Sequence, residues 1–152
     1  MPELASFDYA IVRVVPRVER EEFVNAGVIL FCRTRGFLEA RLALDSARLA
    51  TLAPHLGLAA VERALAVIPL VCRGAAAGPI GQLSQAERFH WLVAPRSAII
   101  QISPVHCGLC ADPAVALGHL LATMVRLPQP GGETEHGIAT PRTSSDDRAD
   151  HV

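Results

Sequence analysis

Three groups of residues carry side chains that could do chemistry. The first lies at Arg13, Arg20, Glu21, Glu22 and Asn25. Adjacent acids beside arginines can seat a phosphate, a carboxylate or a peptide group, because guanidinium N–H groups donate in pairs and carboxylates accept. Asn25 is the only asparagine among 152 residues, and it sits inside the apolar run from Phe23 to Cys32. An unpaired buried polar group costs about 1–3 kcal/mol. Asn25 therefore either bonds a break in the backbone or belongs to a site. In the structural reading Asn25 and Gly27 form a β-bulge and the charges form a solvated turn with a salt bridge. That reading is preferred because isolated charge clusters usually carry no chemistry.

The second group is His106-Cys107-Gly-Leu-Cys110. A Cys-x-x-Cys pair can be half of a zinc site or a redox couple. Structural zinc takes four ligands, and no second pair of this kind exists; His90, His106 or Cys72 would have to join through the fold. A redox pair belongs on the first turn of a helix, but Asp112-Pro113 places the next helix start after both cysteines. Cys107 and Cys110 thus read as ordinary thiols, and neither structural zinc nor any cofactor is expected. The third group, Glu87, Arg88, His90 and Trp91, shares one short helix. No Gly-x-Ser-x-Gly elbow accompanies it. A chain without lysine has no Walker-type phosphate loop.

The elements that must position these groups follow from periodicity. Phe7–Val15 is rich in β-branched and aromatic residues and stops at Pro16. Phe23–Cys32 is apolar on both faces, as a central strand is. Arg33–Gly36 is a turn, and Phe37–Leu44 alternates apolar and polar, so these two strands make an antiparallel hairpin. Asp45 caps a short helix through Leu52. Val61, Leu65, Ile68 and Cys72 recur at helical spacing over Leu58–Arg73, where Pro69 is expected to kink or shorten the helix. Arg73–Gly81 reads as a loop. Ser84 and Glu87 form a capping box for a helix to about Val93, and Ala98–Ser103 is a fourth strand. The last helix starts at Asp112-Pro113 with Leu117, Leu120, Leu121 and Met124 as its buried stripe. The expected core includes Ile11, Val28, Leu30, Leu42, Leu65, Phe89, Ile100 and Leu121. The fold class is α+β in two layers: an antiparallel sheet of about four strands with helices mainly on one face.

Composition bounds the rest. An apolar content of 51% with 19% charge describes one globular domain over 1–127. Residues 128–152, rich in Pro, Gly, Ser, Thr and acids, read as a disordered acidic tail that folding does not require. Residues 1–126 hold 12 Arg and 10 acids, net +2, so nucleic-acid binding is not expected. No apolar stretch is read as crossing a membrane, and no signal-peptide pattern opens the chain; the expected location is the cytoplasm.

Tyr9-Ala-Ile-Val-Arg-Val-Val-Pro16 and Arg20-Glu-Glu-Phe-Val-Asn-Ala-Gly-Val-Ile-Leu30 resemble the opening of a bacterial family known as domain of unknown function 3037. The segments Gly78-Pro-Ile80, Arg88-Phe89, Ser103-Pro-Val-His106 and the Asp112-Pro113 helix resemble its second half. The resemblance covers about residues 7–126. It implies no activity, catalytic residue or cofactor. It does imply recurring polar positions at Arg13, Glu22, Asn25, Arg88 and His106, and a partner role, since members are often encoded beside kinase-like proteins. Cys107 and Cys110 lie outside that pattern. The resulting expectation is a non-enzymatic binding or accessory module whose polar end contacts a partner protein or an anionic ligand. The alternative is a small enzyme on a phosphate-containing or nucleic-acid substrate, with Glu22 and His106 as acid and base and Arg13 and Arg88 holding the anion. Convergence of the five side chains would favour a ligand or enzyme site; dispersion would favour a scaffold.

Overall fold

The computed structural model describes residues 3–74, 77–96 and 98–126. The segment 128–152 lies outside the described residues. Five strands, β1 (Ala5–Val14), β2 (Val24–Cys32), β3 (Phe37–Leu42), β4 (Ile100–Ile102) and β5 (His106–Cys110), form one sheet. The order is β3-β2-β1-β4, with β5 also pairing β1, and every pairing is antiparallel. The helices are α1 (Ser46–Leu52), α2 (Leu58–Arg73), α3 (Gln85–Val93) and α4 (Pro113–Leu120).

β2 is apolar on both faces because both are covered, and a bulge shifts its phase near the start. Val12 pairs with Gly27 but Arg13 pairs with Asn25, so Ala26 is the extra residue. Side chains alternate along a strand, and one extra residue exchanges the faces. Val24 and Ala26 pack with Ile29 and Phe31 on one side, whereas Val28, Leu30 and Cys32 pack on the other. The bulge expected around Asn25 and Gly27 is therefore present. Gly27 is needed there for space: an added Cβ would lie 2.7 Å from the Arg41 carbonyl oxygen and from Leu42 Cδ2.

Two cores result. One face carries α1, α2 and α3 through Leu49, Val61, Leu65, Ile68, Val71, Phe89 and Leu92. The other face is covered by α4 through Leu117 and Leu120 and by the turn after it through Leu121 and Val125. The antiparallel sheet with helices mainly on one face is the architecture observed, with α4 alone behind it. The expected core residues divide between the faces: Ile11, Val28, Leu30 and Leu121 face α4, while Leu65 and Phe89 lie opposite. Leu42 and Ile100 are only partly buried, because β3 and β4 are the sheet edges.

The three expected caps are present. Asp45 Oδ1 accepts the Arg48 N–H at 3.0 Å, Ser84 Oγ accepts the Glu87 N–H at 3.2 Å, and Asp112 Oδ1 accepts the Ala114 N–H at 3.0 Å. Three expectations are corrected. Helix α2 runs through Pro69 to Arg73 and is ended by Gly74 at φ +81°, whose N–H reaches the Leu70 and Val71 carbonyls. Burial of Val71 and Cys72 beyond the proline supports its last turn. Met124 is exposed and Val125 takes its place in the core, because Leu121–Val125 is a π turn and shifts the buried phase by one residue. Finally, the Leu58–Gln82 stretch reaches the length and hydropathy of a membrane span, contrary to the sequence reading. In the fold its stripe of Val61, Leu65, Ile68, Val71 and Cys72 packs on the sheet.

The fifth strand was not expected. Its register, from Ala5↔Cys110 to Tyr9↔His106, places it beside β1 beyond β4. Ser103 joins the two short strands to β1: it is buried, its Oγ accepts the Ile11 N–H at 2.8 Å, and its N–H reaches the Ile11 carbonyl at 2.9 Å. Pro104, which has no N–H to give, follows at the break.

Candidate functional site

Arg13 and Asn25 are cross-strand partners at the bulge. Asn25 Nδ2 donates to the Met124 carbonyl at 3.0 Å, which ties the end of the π turn to the start of β2. Its Oδ1 is buried without a hydrogen-bond partner, and so is Arg13 Nε. The Arg13 guanidinium lies over the Phe23 ring, with Cζ 4.2 Å from the centroid. Such stacking orients a cation without neutralising it. Among the described residues no carboxylate pairs with Arg13; the ion pair there joins Arg20 to Glu22. The half-buried end thus holds an uncompensated cation, a donor and an acceptor without partners, and an exposed aromatic ring.

The other three candidates lie elsewhere. Glu22 accepts from Arg20 Nη2 at 2.6 Å and from Nε at 3.1 Å. It lines a cleft of about 500 Å³ with Arg17, Arg20, Leu52 and His55. Glu21 in that turn adopts φ +54°, the left-handed region that a non-glycine residue seldom occupies. Arg88 is buried and donates through Nη1 to the Val71 and Cys72 carbonyls at 3.0 and 2.8 Å. A cation on the last carbonyls of a helix satisfies orphan acceptors and complements the macrodipole, so Arg88 caps α2. His106 is exposed on β5 and lies against Tyr9, ring centroids 5.4 Å apart. The fold brings Arg13 and Asn25 together and does not gather all five.

The three buried cysteines, Cys32, Cys72 and Cys110, have the environment of inert thiols. Cys107 is exposed and Cys110 buried; three apart on a strand, they point to opposite faces, so they do not form a common ligand pair. Burial pushes the Cys72 thiol up to about 12, partly opposed by Arg88. Burial, then Cys32, also raises Cys110, against Arg35. Among the described residues no group of three or more His, Cys, Asp or Glu side chains is placed to hold a metal.

The sequence reading missed two parts of this end. Phe23 was taken as the first residue of a strand, yet it is the platform under Arg13. Its position two residues before Asn25, on the same side of an extended chain, was the available signal. The Met124 carbonyl had no sequence signal at all, since a backbone acceptor 99 residues away is placed only by tertiary packing.

Fold and site together define a small α+β domain in which two cross-strand neighbours at a sheet end, Arg13 and Asn25, each carry a buried atom without a partner, next to a bulge. The chain belongs to the family of proteins of unknown function DUF3037, whose model matches residues 9–125. No curated protein and no solved structure matches the chain.

Proposed function

We propose that this protein is a cytoplasmic, non-enzymatic binding module, and that it meets a partner protein through Arg13, Phe23 and Asn25. The observation that carries this reading is the pair of buried, unpartnered atoms, Arg13 Nε and Asn25 Oδ1, on cross-strand neighbours. Buried polar groups are almost always paired in folded chains. A peptide group or carboxamide on a partner supplies an acceptor and a donor together, and a carboxylate would also answer the Arg13 charge. Phe23, 42% exposed, adds the aromatic anchor common at interface centres. The kinase-like neighbours of the family resemblance are the first partners to test.

No observation favours the enzyme alternative. Its acid and base were Glu22 and His106, but Glu22 is engaged by Arg20 and His106 lies beside Tyr9 on another strand. Nor does Arg88 share an anion site with Arg13, since it is spent on α2.

The test is affinity capture from the native cell with tagged wild type, Arg13→Gln, Asn25→Ala and the remote control Arg33→Gln. Arg13→Gln is expected to lose the captured partner at least tenfold with its thermal midpoint little changed. Asn25→Ala is expected to lose it too, and to lose roughly 1 kcal/mol of stability with the Met124 bond. Undiminished capture by a folded Arg13→Gln would refute the assignment.

A further inference from the structure

The two edges of the sheet are built differently. The β3 edge carries Glu39 and Arg41 at exposed positions, and charge on an edge strand discourages pairing with another chain. The β4 edge has no such guard: Ala98-Ile-Ile-Gln-Ile-Ser103 holds no charge and no proline. Among the described residues β4 pairs with β1 alone. The Val15 N–H donates to the Ile99 carbonyl at 2.6 Å, and the Ser103 N–H to the Ile11 carbonyl at 2.9 Å. Backbone groups alternate in direction along an antiparallel strand, so those of Ile99, Gln101 and Ser103 face β1. The N–H and carbonyl groups of Ile100 and Ile102 therefore face the open edge.

We propose that β4 pairs antiparallel with β4 of a second copy of this chain, about a two-fold axis at Gln101. Self-complementarity decides the occupant. Gln101 is the middle residue of Ile100–Ile102. With Gln101 opposite itself, Ile100 stands opposite the partner's Ile102, and Ile102 opposite the partner's Ile100. Each of these pairs exchanges two hydrogen bonds, so the open groups of both isoleucines are satisfied on both copies. The residue on the axis suits its place. A carboxamide carries both donor and acceptor, so two Gln101 side chains answer each other where two like charges would repel.

Hydrogen bonds from so short a strand are individually modest, and the groove beside β4 supplies the apolar area. Val67 of α2, Trp91 and Leu92 of α3, and Ile99, Ile100 and Ile102 line a cleft of about 420 Å³. Val67 is 47% exposed and Ile99 41%. The charged residue on the wall, Arg96, is folded back: its Cζ lies 4.0 Å from the Trp91 ring centroid, and its Nη2 donates to the Trp91 carbonyl at 2.7 Å. An axis normal to the sheet keeps α2 and α3 of both copies on one face. The two grooves then meet along the paired strands and form one apolar core. Such an isologous contact closes as a dimer and leaves no unguarded edge. It does not rest on the reading of the Arg13 end as a binding site.

The experiment uses the full-length protein and reads oligomeric state and register. Wild type sedimenting at about 0.1 mM is expected as a dimer, since modest interfaces reach micromolar affinity. Register is read in a Cys107→Ser background, which removes the exposed native thiol. There Gln101→Cys is expected to be joined by diamide into a covalent dimer for most of the chain. Facing residues at a position without hydrogen bonds have Cα atoms about 4.5 Å apart, a span that a disulfide bridges. Ile99→Cys is the control: its counterpart lies four residues along the strand, about 13 Å away, and it should cross-link at least tenfold more slowly. Gln101→Lys sets two like charges on the axis and should self-associate at least tenfold more weakly than wild type. Mixing it with Gln101→Glu should restore the dimer, which separates lost pairing from a damaged fold. Monomeric wild type, equal cross-linking of Ile99→Cys and Gln101→Cys, or undiminished association of Gln101→Lys would overturn the proposal. Any of these, found while Arg13→Gln still loses its captured partner, excludes the strand pairing and leaves the binding end standing.

Discussion

Replacing Arg88 should cost stability and leave partner capture intact. Arg88→Met keeps the aliphatic stem that packs between α2 and α3 and removes the donors. The Cys72 carbonyl, 2.8 Å from Nη1, then loses the bond that closes the last turn of α2. Among the described residues the Val71 carbonyl, 3.0 Å away, then keeps the longer 3.2 Å bond from the Gly74 N–H. One orphaned buried acceptor costs about 1–3 kcal/mol. Loss of a partly buried cation at a helix C-terminus adds about 0.3–2 kcal/mol. Relief of burying a guanidinium whose Nε has no partner returns part of this. The expected net loss is roughly 2–3 kcal/mol. Urea denaturation followed by circular dichroism measures it, with the slope unchanged if only the native state is affected. Arg88→Lys, which keeps the charge but not the fork, should fall between. A loss below about 0.5 kcal/mol with the fold intact, or lost capture at unchanged stability, would refute the capping role.

Gly27→Ala should destabilise by about 1–3 kcal/mol, the usual cost of overpacking, because its Cβ meets backbone at 2.7 Å; thermal unfolding reads this, and a neutral variant would show that the bulge yields. Cys72, raised from an ordinary value near 9 to about 12, links stability to alkali. The unfolded thiol ionises first, so its contribution is whole below pH 9 and falls by up to about 1.4 kcal/mol per pH unit towards 12. The fall should be shallower in Cys72→Ala, measured as urea midpoints at pH 8 to 11. In the native protein a thiol reagent should modify Cys107 at once, and Cys32, Cys72 and Cys110 only on unfolding, by mass spectrometry.

Local order was legible wherever one segment holds its own cause. The caps at Asp45, Ser84 and Asp112 are side chains bonding N–H groups two or three residues away, so residue type at fixed spacing reveals them. The long strands announce themselves by period, and the asparagine-glycine interruption of β2 marked the bulge. By contrast, β5 was illegible. His-Cys-Gly-Leu-Cys has no alternation, and Gly108 is there because an added Cβ would come within 2.7 Å of the Phe7 ring, a contact between residues 101 apart.

The candidate site divides along the same line. Sequence by itself determined which polar residues were unusual: an amide in an apolar run, arginines beside acids, a buried-strand context around Asn25. It also determined the α+β class, since hydrophobic period and capping act within a single element. Only the tertiary structure decided what each polar residue does. Arg88 and Arg13 are the same residue type at strand-and-helix positions of similar appearance, yet one donates through Nη1 to the Val71 and Cys72 carbonyls and the other lies over Phe23 with no carboxylate partner among the described residues. The physical reason is that satisfaction of a charge depends on which acceptors reach within about 3 Å. Those acceptors, like the Met124 carbonyl on Asn25, arrive from distant parts of the chain whose approach no local pattern encodes.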